Sequence, residues 1–243
     1  MVTVDGEDEG FPPFYTLEEC QDFIISGEEC TLTSRQDYTG GLWRIISKEA
    51  DETYKIINNA YLRYYGDNGA IGNSMVRNWA KPSELNKILN EQYLNSLDSS
   101  IKNKLVVHTW NIGTIIMDND DLNSQIESEK SQTWLGTIGL VSHSDYLRAN
   151  RNMKLCGTDK TNYENYISCR NSNWMFDGGS WWTISARTDN PNIVCAVDWD
   201  GQFNCNRDNS GELWMQVRPA VYLSSNITLM GSGTQSDPYK ITN

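Results

Sequence analysis

The chain has 243 residues, 20 Lys and Arg against 32 Asp and Glu, and a formal net charge of −12. That balance excludes nucleic-acid binding driven by net field, which needs clustered Lys and Arg. With 38% hydrophobic residues, a mean hydropathy of −0.57 and no run near the roughly 18–20 apolar residues of a membrane span, the composition predicts a soluble body. It is long enough for one large domain.

In chain order, residues 1–10 are acidic and stop at Pro12-Pro13, which reads as a tail or anchor stump. Thr16-Leu-Glu-Glu19 is a capping-box pattern that predicts a short helix through Cys20, Phe23 and Ile24. Leu42–Ile46 is a β-branched run fit for a buried strand, with Tyr54–Ile57 as its partner. From Pro82 the residues Leu85, Ile88, Leu89, Leu94, Leu97 and Ile101 form an apolar helical stripe. Lys104–Trp110 returns to strand. Asp118–Asp121 looks like calcium-loop material, but the sixth position is Asn123 and only the twelfth, Glu129, fits, so a solvated turn is expected. Ser142-His-Ser-Asp145 invites comparison with a catalytic triad, yet no G-x-S-x-G is present, and Ser144 is expected simply to cap a helix Asp145–Ala149.

The last third is predicted to be a strand-rich meander: Trp181–Ala186, Ile193–Trp199, Gln202–Cys205, Trp214–Leu223, Ile227–Leu229 and Tyr239–Ile241. Residues 11–243 read as a single α+β domain, with small helices early and a small antiparallel sheet in a loop-rich C-terminal half.

Six cysteines fall into three local couples, Cys20 with Cys30, Cys156 with Cys169, and Cys195 with Cys205. Disulfides, free thiols and a metal set are the alternatives, and zinc is weakened by the lack of any C-x-x-C pair. The last couple can be tested by arithmetic. A three-residue loop Trp199-Asp200-Gly201, with Gly201 left-handed, makes residues summing to 400 face each other, and Cys195 and Cys205 sum to 400, whereas a strict two-residue turn would offset them by one.

The ordered set Leu42–Ile46, Trp110–Gly113, Glu129–Leu140, Ser144–Tyr146, Trp181–Ser185, Asp200-Gly201, Val217–Leu223 and Gly231–Ile241 resembles bacterial surface proteins that carry a C-type-lectin-like domain of the formylglycine-generating-enzyme type. These often stand behind a pilin-like membrane helix. The resemblance covers about residues 38–243. It implies a C-type-lectin-like fold and display outside the cell, on the surface or a pilus. It also implies that the chain could be a variable protein of a diversity-generating retroelement, a system that rewrites adenines and therefore Asn codons. Five of the 20 positions from 190 to 209 are Asn, so residues 188–216 read as a ligand-display segment.

The expected function is therefore non-catalytic ligand binding or adhesion, to a host or neighbouring-cell protein or glycan. Thr188, Asp189, Asn190, Asn192, Asn204, Asn206, Arg207, Asp208, Glu212 and Trp214 are the candidate contacts. Trp and Arg dominate interface energies, and Asn and Asp give adaptable hydrogen bonds. No cofactor is expected. Calcium is the alternative, disfavoured because Asn190-Pro191-Asn192 has an amide where a carboxylate ligand is common. Arg218 is expected to serve inside the fold, as partner to a buried Asp. A structural pilus or surface subunit, contacting its neighbours, is the second reading. Catalysis of the formylglycine-generating type is the third, and the two separated histidines, His108 and His143, cannot supply a three-His iron centre.

Overall fold

The computed structural model describes residues 43–58, 62–63, 84–97, 99–116, 122–149, 171, 173–176, 178–187, 194–205, 216–230 and 240–241. The acidic tail, the helix expected from Thr16, the turn Asp118–Asp121 and the cysteines Cys20, Cys30, Cys156 and Cys169 lie outside them. In chain order the strands are β1 (Trp43–Lys48), β2 (Tyr54–Asn58), β3 (Leu62–Arg63), β4 (Leu105–Val106), β5 (His108–Asn111), β6 (Thr114–Ile115), β7 (Thr133–Gly136), β8 (Ile138–Gly139), β9 (Trp181–Arg187), β10 (Val194–Val197), β11 (Phe203–Asn204), β12 (Gln216–Val217), β13 (Ala220–Leu223), β14 (Leu229–Met230) and β15 (Lys240–Ile241). The helices are α1 (Glu84–Lys87), which runs on through a π-helical segment Ile88–Tyr93 and a turn Leu94–Ser96, then α2 (Ser99–Lys102), α3 (Leu122–Glu129) and α4 (His143–Arg148). The class is α+β, mostly β.

Two sheets organise the body. One runs β1-β2-β13-β4, with β8 also pairing β13; the other runs β11-β10-β9-β12-β3, with β6 also pairing β9. The pairs β5-β7 and β14-β15 stand apart. The expected hairpin of the first strands is present, with Arg44 opposite Ile57, but β1 lies at the sheet edge and is only half-buried, while its partner β2 is the buried one. The expected antiparallel succession holds for β9-β10-β11 and for the separate pair β14-β15. Beyond it, β12 and β6 each run parallel to β9.

Pro219 explains why the run Trp214–Leu223 is not one strand. Lacking an N–H, it interrupts the ladder between β12 and β13, and the chain crosses from one sheet to the other there. Arg218 is buried at this crossing. It donates from Nε to the Asn58 carbonyl (3.1 Å) and from Nη1 to the Met175 carbonyl (2.7 Å), and its guanidinium lies 5.1 Å from the Trp181 ring.

The expected apolar stripe is realised in part: Tyr93 joins it, Leu94 and Ile101 are only half-buried, and the helix ends at Ser96, with Leu97 extended and Ile101 in α2. Leu85, Leu89, Tyr93 and Leu97 are all buried. Each four-residue step overshoots a 3.6-residue turn, and the wider π-helical segment takes up the excess so that one face keeps to the core. Trp110, Trp181, Trp182, Tyr93, Ile57, Leu85, Leu89, Ile138 and Leu140 are among the largest buried side chains. Among the described residues no helix is long and apolar enough to cross a membrane.

Candidate functional site

The β10-β11 hairpin follows the register read from its sequence. Ala196 faces Asn204 and Val197 faces Phe203, so paired residues sum to 400, and Cys195 is bonded to Cys205. Gly201 takes φ +80°, the left-handed conformation that only glycine adopts freely. Asp198 N donates to Gln202 O and Gly201 N to Asp198 O, both at 2.8 Å, closing the three-residue loop. Side chains then lock it. Gln202 N donates to Asp200 Oδ1 (3.0 Å), Asn204 Nδ2 to Asp198 Oδ2 (2.9 Å), and Tyr146 reaches up with its hydroxyl to the Gly201 carbonyl (2.8 Å).

At the tip stands Trp199, 67% exposed. The other described tryptophans are buried or half-buried. The signal for it was in the predicted loop, since a tip position points its side chain outward; the sequence reading used that loop for register only. Of the ten candidate contacts, Asn204 alone is described, half-buried beside Asp198. Thr188, Asp189, Asn190, Asn192, Asn206, Arg207, Asp208, Glu212 and Trp214 lie outside the described residues. The backbone still orders their anchors. Val194 pairs with Ala186, while Val197 pairs with Trp181, which in turn faces Gln216. Arg187, Val194 and Cys205 therefore mark one end of this sheet, and the Trp199 tip and Gln216 mark the other.

A second constellation, which the sequence reading missed, lies inside the protein. Lys55 Nζ donates to Asp145 Oδ2 at 2.5 Å, and the ammonium lies 5.0 Å from the Trp110 ring and 5.5 Å from the Tyr222 ring. Asp145 Oδ2 also accepts from Ser142 N (2.9 Å). Glu129 Oε2 accepts from the hydroxyls of Ser142 (2.9 Å) and Ser144 (2.6 Å), and its Oε1 from Ser144 N (2.8 Å).

This geometry corrects the expected helix start. Ser142, not Ser144, caps α4, through a reciprocal capping box with Asp145: Ser142 has the extended backbone of a cap (φ −93°, ψ 174°), whereas Ser144 lies inside the helix. The triad-like order of residues 142–145 is likewise resolved, as Asp145 pairs with Lys55 while His143 stacks on Phe203 at 4.1 Å. Burial alone would lower the Lys55 pKa, but the charge and hydrogen bond of Asp145, with Tyr222 and Glu129, together overcome it and the value is raised. Burial alone would raise Asp145, but Lys55 and its hydrogen bond hold it below the ordinary range. Glu129 is pushed up by burial, against the hydrogen bonds from Ser144. Lys55, Asp145, Glu129, Ser142 and Ser144 are each at most 7% exposed. The cluster is thus closed within the protein, its bonds joining β2, the end of α3 and the start of α4.

Among the described residues no group of three or more His, Cys, Asp or Glu is placed to hold a metal. His108 stacks on Tyr222 at 3.7 Å, with Nε2 3.2 Å from Asp51 Oδ2.

Hairpin and cluster together define an α+β, mostly β protein with a buried polar cluster and, among the described residues, a stapled, Trp-tipped hairpin at the surface. Residues 51–225 match the family described as a domain of unknown function, DUF6273, and the chain belongs to that family. No curated protein matches the chain. No solved structure matches it either.

Proposed function

We propose that the chain is a non-catalytic extracellular ligand-binding or adhesion module of C-type-lectin-like fold, displayed on a bacterial surface or pilus. The observation that carries the reading is the β9-β10-β11 sheet with its Cys195–Cys205 bond. It is a rigid base, largely buried, from whose strand ends both candidate segments, 188–193 and 206–215, lead off in sequence. Presenting contact residues from a rigid base limits the ordering cost of binding. A disulfide is at home in an oxidising compartment, which supports display outside the cell.

The test is a screen against host glycans and surface proteins comparing wild type with Trp214→Ala and Arg207→Ala. Loss of capture by either variant supports the site, and equal capture by all three refutes it. Diversification has its own test at the DNA level: a nearby near-copy of the segment encoding 188–216 that differs only at adenines. A structural subunit role is the second reading, favoured by Val107 (61% exposed) and Leu135 (66% exposed), apolar residues in and beside the β5-β7 pair. Concentration-dependent assembly that Leu135→Asp abolishes would support that role.

A further inference from the structure

We propose that Trp199 is the anchor of a contact surface for an arginine-bearing segment of a partner protein, with the guanidinium stacking on the exposed indole beside Asp200. The proposal rests on the display reading above and names the chemistry of the partner.

Three observations converge. First, the tip is built to be rigid. The Cys195–Cys205 bond, two backbone bonds, the Asp200 and Asp198 side-chain bonds and the Tyr146 hydroxyl all hold a loop of three residues. The fold thus restrains this turn from several sides while leaving its largest apolar side chain 67% exposed. A rigid, exposed tryptophan loses little conformational freedom when a partner covers it, and Trp leads the residue types that dominate interface energies.

Second, the charge selects the partner. Trp199 is followed by Asp200, half-buried at the turn, on a chain of net charge −12, while Asp198 on its other side is buried and bonded to Asn204. Such a field attracts cations and speeds their encounter, and the face of an indole is the aromatic surface on which cations sit best.

Third, the protein uses the same pairing within itself. Arg218 lies over Trp181 at 5.1 Å and Arg44 over Trp174 at 5.6 Å. Arginine suits the tip better than lysine, because its planar guanidinium stacks on the ring while its N–H fork still addresses a carboxylate.

The experiment follows the Trp199 indole N–H in a proton–nitrogen correlation spectrum of the full chain, assigned as the indole signal that disappears in Trp199→Phe. The probes are the peptide acetyl-Gly-Arg-Gly-Arg-Gly-amide and its neutral citrulline analogue. The expected result is a saturable shift of that indole with the arginine peptide and none with the citrulline peptide, while the buried Trp110, Trp181 and Trp182 indoles stay in place. Trp199→Ala should weaken the binding about two- to fivefold, the range of an exposed cation–π contact, with an unchanged unfolding midpoint showing that the fold is intact.

A shift of surface amides without the Trp199 indole, equal binding by Trp199→Ala, or an equal response to citrulline would overturn the assignment. A response of the same indole to mannobiose or N-acetyllactosamine, but not to the arginine peptide, would overturn the cationic partner and leave the display reading standing. The display reading itself is judged separately, by the Trp214 and Arg207 variants in the screen.

Discussion

Replacing Lys55 with methionine isolates what the buried cluster does. The side chain is 7% exposed, its ammonium is 2.5 Å from Asp145 Oδ2, and the partner carboxylate is 2% exposed. Methionine fills a similar volume against Trp110 and Tyr222, so the packing loss is small and the effect is mainly electrostatic. Formally, wild type buries one cation with two carboxylates, and Lys55→Met leaves the two carboxylates alone. Removing one partner of a buried pair costs roughly 3–5 kcal/mol, because the other charge stays in a medium that solvates it poorly. Asp145→Asn is the informative companion. It leaves Lys55 with Glu129, one charge of each sign, and loses a charge-assisted acceptor in the capping box, so its cost should be smaller by about 1 kcal/mol or more.

The pH dependence carries a sign. In wild type Asp145 is held below its ordinary pKa, so its contribution is present at neutral pH and disappears as pH falls through the lowered value. In Lys55→Met the orphaned carboxylates are raised instead, the folded state takes up a proton more readily than the unfolded one, and the variant gains stability as pH falls from about 7 toward 5. Urea unfolding at both pH values reads this directly, and the gap to wild type should narrow at the lower pH. A cost below about 1 kcal/mol, a gap independent of pH, or Asp145→Asn proving the more damaging would refute the reasoning.

Three further outcomes follow from the same structure. Cys195→Ala with Cys205→Ala removes a bond across a sequence separation of 10, and the unfolded chain should gain freedom worth about 2.5–3 kcal/mol; urea midpoints that do not differ between oxidised and variant protein would contradict this. Gly113→Ala would set a Cβ 2.4 Å from the Ser128 carbonyl and 2.6 Å from that of Glu129. The end of α3 must then shift, and a loss of about 1–3 kcal/mol is expected by thermal unfolding. At alkaline pH the folded state holds protons that the unfolded chain gives up. Burial pushes Tyr93 up to about 12 and raises Tyr222, and Lys55 is raised too, so stability should fall as pH climbs above about 10. Tyr93→Phe should show a shallower decline between about pH 9 and pH 11; a slope equal to wild type would remove Tyr93 from the account.

How much was legible in the sequence depended on the range of the interaction. The β10-β11 hairpin could be read in register, down to its cysteine partners, because an Asp-Gly turn and a two-residue alternation act within a dozen positions. The helix from Pro82 was legible in its apolar stripe, but the π-helical segment was not, since it arises from matching that stripe to the core. The Lys55–Asp145 pair joins residues 90 apart. Nothing in a lysine on an apolar strand or in a Ser-His-Ser-Asp string announces it, and local polarity pointed toward a capping serine two residues too late.

The motifs behind the family resemblance also turn out to have a common physical role. Trp110, Glu129, Asp145, Trp181, Trp182, Arg218 and Tyr222 are all buried. Gly139 is equally constrained, because a Cβ there would meet the Trp110 ring at 2.7 Å. These members of the set describe scaffold: aromatic packing, a charged cluster that fixes α4, and an arginine where the chain changes sheets. Residues of this kind specify a fold and say little about a ligand. Under the proposed display role, ligand contacts would fall in what the motifs leave between them, and Trp199 sits in such an interval, directly before the Asp200-Gly201 turn that the scaffold requires. A turn whose chemistry is constrained by the hairpin and whose neighbour is free to face water is where a binding residue can change without cost to the core.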